Sequence, residues 1–436
     1  MSGKSNPKKK RPGNTVGRKL AITMFTLVVA AVTVIVVLAM RSGVGTLSSR
    51  SGVIEPDEEK IRAFEEAAAA ETETEKPEET EEPEDPHLAA AQKVLDGMSL
   101  EEKVYQLFIT SPDKLTGKIG TSEAEGTLAE QLQAMPIGGL ILYEANVYSA
   151  DQVRTMLTGV QENAKVPLLL GIDGEPGNDE GLSKFGITEA FQSASVYGEN
   201  VDEAGIRQVG KTLGSDMKAV GFNVDFAPVA DVLTDGANTE VGDRSFGSDP
   251  MIVSSMVREM ISGLHESEMI ACAKHFPGLG STVYSTAYSA VASNRSMDEL
   301  RQTELRPFYA AMEADTDMIM VSHLQLPSVV EGNLPSSLSP IIIQEILRGE
   351  MGYQGVVITD SFQKKAISDN YSAAEAAVLA IQAGCDMILL PEDLEQAAEG
   401  ILTAIENGDI REDRINESVL RILTLKSRYG LLGTVS

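Results

Sequence analysis

The apolar residues of this chain cluster in short unbroken runs, with amphipathic stretches between them. The runs cover 137–143, 167–173, 222–228, 270–276, 318–324, 356–360 and 386–391. Most are apolar throughout and turn polar only at their C-terminal ends, the pattern of strands buried on both faces. The stretches between them, at 149–163, 203–220, 249–267, 297–314 and 373–383, read as helices. Seven clear strands and one weaker candidate, alternating with helices over about 350 residues, predict a parallel sheet. A closed (β/α)8 barrel of the TIM type is the preferred α/β fold. A doubly wound open sheet is second, although no G-x-G-x-x-G turn marks a dinucleotide site.

At the start of this domain, Ser99-Leu100-Glu101-Glu102 is a capping box. The helix it begins, running to Phe108, would place Val104, Leu107 and Phe108 on one face. Upstream, the pattern changes twice. Residues 20–40 are 21 residues without a charge, long enough at about 1.5 Å each to cross a hydrocarbon core of about 30 Å. Seven Lys/Arg lie in residues 1–19, so this basic tail is expected in the cytoplasm, with a single transmembrane anchor and everything after residue 40 outside. A cleaved signal peptide competes with that reading, but the apolar stretch is long and Leu38-Ala39-Met40 is a poor cleavage site. Residues 41–86 form an acidic low-complexity linker in which like charges repel and no apolar period recurs, so an extended, disordered spacer is expected. Residues 87–436 are left as the folded domain.

Charge narrows the partners. Of the formal −29, residues 1–53 carry nine bases and no acid, and residues 54–86 carry fifteen acids against three bases. The folded domain therefore holds about −26, which repels phosphates and argues against nucleic-acid binding. The two cysteines, Cys272 and Cys385, lie in apolar runs and read as small buried hydrophobes. With no H-x-x-x-H or H-E-x-x-H, no metal site or cofactor is expected, and no G-x-S-x-G elbow supports a serine nucleophile.

The candidate chemistry sits where the runs end, which in an α/β barrel is where chemistry is built. Asp173 closes the second run, followed by Gly174-Glu175-Pro176-Gly177. FAPVADV carries Asp231 past the third run, with Arg244 in the loop GDRSFG. Lys274-His275 lie at the end of the fourth, His323 of the fifth and Asp360 of the sixth. Asp173, Arg244, Lys274, His275, His323 and Asp360 are thus expected at one barrel mouth, arranged to hold a polyhydroxylated ligand. One such Asp is as easily a helix N-cap; six polar residues at successive ends are not. His323 is the weakest member, with a buried, satisfied histidine as its alternative.

At these residues the sequence resembles glycoside hydrolase family 3, in its single-domain bacterial β-N-acetylglucosaminidase (β-N-acetylhexosaminidase) branch. The resemblance runs from about His87 to Leu432. It is carried by MSLEEKVYQLF, IGGLILY, FAPVADV, RSFGSDP, AKHFPGLGST, GVVITDS, QAGCDMILLP and the terminal RINESVLRILTLKSRYGLL, in that order. It implies a (β/α)8-type barrel and hydrolysis with retention through a covalent glycosyl-enzyme. It assigns Asp360 as nucleophile, and Asp173, Arg244, Lys274 and His275 as holders of sugar hydroxyls. Lys and Arg near Asp360 would keep its carboxyl ionised. The substrate implied is a glycan containing N-acetylglucosamine, such as one of the cell-wall type.

Two stretches depart from that branch. Its loop after KHFPG reads roughly GHGDT and then D-S-H, whose Asp-His pair is the general acid/base. Here the corresponding residues are Gly278-Leu279-Gly280-Ser281-Thr282 and Ser285-Thr286-Ala287. Neither Ser285 nor Ala287 can protonate a glycosidic oxygen near neutral pH. Its D-Q-E-G-G-R appears as Asp173-Gly174-Glu175-Pro176-Gly177-Asn178. Three readings follow. The first is a membrane-anchored glycosidase whose acid comes from Glu175, Asp179, Glu180, Tyr284 or Tyr288, although the ordinary reading of those acidic residues is solvated loop charge. The second is a catalytically degenerate relative that binds glycan or a protein partner. The third is an α/β barrel with unrelated chemistry, such as a lyase.

Overall fold

The computed structural model describes residues 85–433; the expected basic tail, membrane anchor and nearly all of the acidic linker lie outside the described residues. Among the described residues no helix is long and apolar enough to cross a membrane.

Eight parallel strands form the centre: β1 (Phe108–Thr110), β2 (Gly139–Ile141), β3 (Leu169–Ile172), β4 (Val224–Asp225), β5 (Ile270–Phe276), β6 (Met318–Val321), β7 (Val356–Thr359) and β8 (Ile388–Leu389). Every residue in them is buried, which is why the runs are apolar on both faces. The order around the sheet is β7-β6-β5-β4-β3-β2-β1-β8, each pair parallel and, apart from β1–β8, consecutive in the chain. At the seam between β7 and β8, a parallel bridge joins Ile358 to Met387, and Thr359 N donates to Met387 O. The sheet is thus a nearly closed barrel of the TIM type, with helices on its outside.

Local chemistry sets the helix ends. Glu203–Val220 and Ala373–Ala383 match the expected spans, each stopped by a glycine in the left-handed region, Gly221 and Gly384. Ser149 and Asp249 cap the helices that follow them, Ala150–Asn163 and Pro250–Glu266. The capping box at Ser99 forms with both of its hydrogen bonds. The helix it starts ends at Tyr105, however, short of the predicted Phe108. Leu107 O and Ile109 O accept from Ile388 N and Leu390 N, so pairing with β8 draws this stretch out of the helix and into β1. The predicted helix 297–314 is two helices, Met297–Gln302 and Arg306–Glu313. Pro307 has no N–H to continue the first helix and suits the first turn of the second. Cys272 and Cys385 are both buried and unpaired.

Candidate active site

The strands end at one mouth, and most of the side chains there are held in two charged networks. The first is centred on Lys274. Its Nζ lies 2.5 Å from Asp173 Oδ1 and 2.7 Å from Glu175 Oε1. Glu175 in turn takes a forked pair of bonds from Arg244, Nε at 2.6 Å and Nη2 at 2.7 Å. Lys274 and Glu175 are each only 2% exposed, so neither charge would persist there unpaired. Burial by itself would push the Glu175 carboxyl up; Lys274 and Arg244 outweigh it and hold the group far below the ordinary carboxylate range. Glu175 is therefore neither solvated loop charge nor a proton donor. It is the counter-ion that fixes two cations. Asp173 Oδ2, without a hydrogen bond from any described residue, and the third proton of Lys274 remain for a ligand.

The second network surrounds Asp360, one residue past β7. Its Oδ1 accepts from Ser361 N at 2.7 Å, and Lys364 Nζ stands 2.7 Å from Oδ2 in an ion pair too bent to count as a hydrogen bond. Burial would raise this carboxyl, but Lys364, then His275 and His323, bring it well below the usual range, so it is ionised at neutral pH. The cation that does this is Lys364, not Lys274 or Arg244 as the sequence suggested. Those two are committed to Asp173 and Glu175.

The histidines play different parts. Asp231, fully buried, accepts from His275 Nδ1 at 2.8 Å and from Leu279 N at 2.7 Å. A carboxylate only accepts here, so Nδ1 carries the proton and Nε2 is left without a partner among the described residues. His323 is 0% exposed, with Nε2 donating to Ser361 O at 2.9 Å and Nδ1 accepting from Ser337 Oγ at 2.8 Å. Burial lowers its pKa to about 4, consistent with a neutral ring. With both nitrogens used, His323 braces the residue after Asp360 and has nothing to offer a ligand.

The five proposed substitutes for the missing acid separate clearly. Glu175 is ion-paired. Asp179 caps the turn ahead of it, accepting from Gly181 N and Ser183 N. Tyr284 and Tyr288 are 75% and 78% exposed. Glu180 differs from these: it is half-buried beside Asp173, and burial first, then the Asp173 charge, push its carboxyl upward. Tyr143 completes that wall, its phenol raised by burial and by the charges of Asp173, Glu180 and Asp360.

The loop from Gly278 to Ala290 is closely fitted at its start and exposed at Val283, Tyr284 and Tyr288 to Ala290. A Cβ on Gly280 would lie 1.9 Å from Val232 O, and one on Gly278 2.8 Å from Glu304 Cβ. Farther along, Thr286 N and Oγ1 both donate to Glu240, at 2.9 and 2.8 Å, and Glu240 pairs with Lys364 at 2.8 Å. Ser285 Oγ accepts from Ala287 N, so this hydroxyl serves a local turn. Glu240 and Lys364 went unnoticed in the sequence. They are 124 residues apart, with no pattern linking them.

Known proteins resemble this chain in sequence and in fold. A β-hexosaminidase of Xanthomonas oryzae pv. oryzae (strain KACC10331 / KXO85) is 30% identical over 293 residues, spanning 66% of this chain and 86% of its own. The β-hexosaminidase of Stenotrophomonas maltophilia (strain R551-3) is 32% identical over 292 residues, 65% of this chain and 86% of its own. Among solved structures, a glycoside hydrolase family 3 β-N-acetylglucosaminidase from Paenibacillus sp. str. FPU-7 superposes with a TM-score of 0.72 at 31% identity, covering 77% of this chain. This chain spans 63% of that one's length. The profile of the glycosyl hydrolase family 3 N terminal domain matches residues 99–425, from the capping box to the last helix, and so includes every strand and both networks. Barrel, mouth and sequence agree: the chain belongs to glycosyl hydrolase family 3.

Proposed function

We propose that this protein is a retaining glycosidase acting on β-N-acetylglucosaminides, of the kind found in cell-wall glycans, with Asp360 as its nucleophile. The observation that carries this reading is the state of Asp360: buried at the end of β7, kept ionised by Lys364, and facing a mouth that also holds Asp173, Lys274 and His275. The names of the relatives support the choice of sugar.

In the first step a carboxylate oxygen of Asp360 bonds to the anomeric carbon while the bond from that carbon to the aglycone oxygen breaks. The electron pair leaves with the oxygen, which needs a proton unless the aglycone is already a stable anion. Water then displaces Asp360, giving the free sugar with its anomeric configuration retained. Asp173 and Lys274 hold sugar hydroxyls from one side and His275 Nε2 from another. Glu180 is the acid this reading assigns, since it is half-buried and its carboxyl is pushed upward, first by burial and also by the Asp173 charge.

The test compares aryl and alkyl N-acetyl-β-glucosaminides. Aryl release by the wild type, abolished in Asp360→Asn, is expected. In Glu180→Gln, alkyl turnover should fall by about 10²–10⁴-fold with aryl release less affected. Absence of Asp360-dependent release on every aryl glycoside would sink the reading.

A second reading, a glycan-binding relative that no longer cuts, is favoured by Ser285 and Ala287 standing where the proton-transfer pair is expected. Its signature is glycan binding without aryl release. Either way, we place the domain outside the cell membrane on an uncleaved anchor at residues 20–40, a reading that rests on the sequence pattern. External protease should digest the domain on intact cells; a protected domain contradicts this topology.

A further inference from the structure

One ammonium group joins Asp360 to the loops that carry Glu240 and Thr286. Lys364 Nζ lies 2.7 Å from Asp360 Oδ2, 2.8 Å from Glu240 Oε1 and 3.4 Å from Thr286 Oγ1. Glu240 passes the connection on, receiving both donors of Thr286. The backbone repeats it: Ala366 N donates to Thr286 O at 3.1 Å and Lys365 N to Ala287 O at 3.3 Å. Arg244 Nη1 donates to Glu240 O and so steadies the carboxylate's own backbone. The stretch 285–287 is thus fastened, by side chain and main chain, to the turn that follows Asp360.

We infer that Lys364 is a positioning residue that orients the nucleophile and, through Glu240, straps the 285–287 loop to the nucleophile's turn. Lys364 is not the missing acid. A retaining β-glycosidase takes its proton on the face opposite the nucleophile, and an ammonium paired with the nucleophile is on the wrong face. The strap also gives this loop a role that needs no Asp-His pair: it is a fixed wall of the mouth. The groups facing Asp360 and Lys364 are Glu240, His275, His323 and Tyr143, so the field at the nucleophile is their sum with that of Lys364. Three of the cationic or neutral members, His275, His323 and Tyr143, are held by other partners or by burial. Lys364 is the one that touches both carboxylates, and its removal leaves Asp360 and Glu240 without the ammonium between them.

This inference rests on Asp360 being the nucleophile, and its test is chosen to be independent of turnover. Lys364→Met keeps most of the volume and removes the charge, Lys364→Arg keeps the charge, and Glu240→Gln cuts the link to the loop. Amide hydrogen exchange is read at Thr286, Lys365 and Ala366. The Asp360 carboxyl carbon, identified by its loss in Asp360→Asn, is titrated by 13C NMR. In Lys364→Met, exchange at all three amides should rise at least about tenfold and the Asp360 titration should move up in pH; Lys364→Arg should restore both. Glu240→Gln should speed exchange at Thr286. Unchanged exchange in both Lys364→Met and Glu240→Gln overturns the strap, and an unmoved Asp360 titration overturns the positioning role. If Lys364→Met does not fold, Lys364→Gln takes its place in the same measurements. A wild type that releases no aryl group defeats the proposed glycosidase and leaves these two readouts intact.

Discussion

At the scale of single residues, the decisive quantity is how each buried charge is balanced. Glu175 faces two cations, and removing its charge leaves the buried Lys274 with Asp173 alone and Arg244 without its forked partner. Breaking a buried ion pair from one side costs about 3–5 kcal/mol, so Glu175→Gln should lower the unfolding free energy by about that much at pH 7 in a urea titration. The pH dependence follows from the direction of the shift. The folded-state pKa of Glu175 lies below its unfolded value, so the unfolded chain binds more protons as the solution is acidified. The stabilisation is complete above the unfolded carboxylate value of about 4 and fades as pH falls beneath it. The gap between wild type and Glu175→Gln should therefore narrow steadily as pH falls below about 4. A gap that stays constant would show that the charge on Glu175 does not matter.

The sequence exposed Asp173, Lys274, His275 and Asp360 because strand ends are marked by a change from apolar to polar. It hid the partners. Whether Glu175 is solvated or buried depends on Arg244, 69 residues away, and on Lys274. The same blindness put the wrong cations next to Asp360, since only the folded chain shows that Lys364 reaches it. His323 was doubtful from the start, and the hydrogen bonds at both its nitrogens explain why a strand-end histidine can be purely supporting.

At the scale of elements, boundaries with a chemical marker were readable and those made by long-range pairing were not. Ser99, Ser149, Asp249, Gly221 and Gly384 mark helix ends by their own side chains or their lack of one. Nothing local marks the switch from helix to strand between Tyr105 and Phe108, because β8, which fixes it, is nearly 280 residues later. The loop from Gly278 to Ala290 shows the same division. Its lack of acids was visible; the tight seating of Gly278 and Gly280 was not. Gly280→Ala would force a methyl group onto the Val232 carbonyl, an overpacking cost of about 1–3 kcal/mol. Urea unfolding should show that loss, and a change below about 0.5 kcal/mol would mean that the loop is free to move aside.

At the scale of the whole molecule, the alternation of apolar runs and helical stretches was enough to predict a parallel sheet, because one buried on both faces leaves that pattern in the sequence, and the count of strands favoured the barrel over an open sheet. The site's chemistry follows from the barrel, which delivers β3, β5 and β7 to one mouth and so places Asp173, Lys274 and Asp360 together. What the fold does not decide is whether an ionised, buried carboxylate at that mouth still makes a bond. That is best read directly, by intact-protein and peptide mass spectrometry after incubation with a fluorinated N-acetylglucosaminyl fluoride, whose activated leaving group needs no acid and whose glycosyl-enzyme breaks down slowly. The expected result is one sugar added per chain, located on the peptide carrying Asp360 and absent in Asp360→Asn. No adduct, or an adduct that persists in Asp360→Asn, would contradict the account.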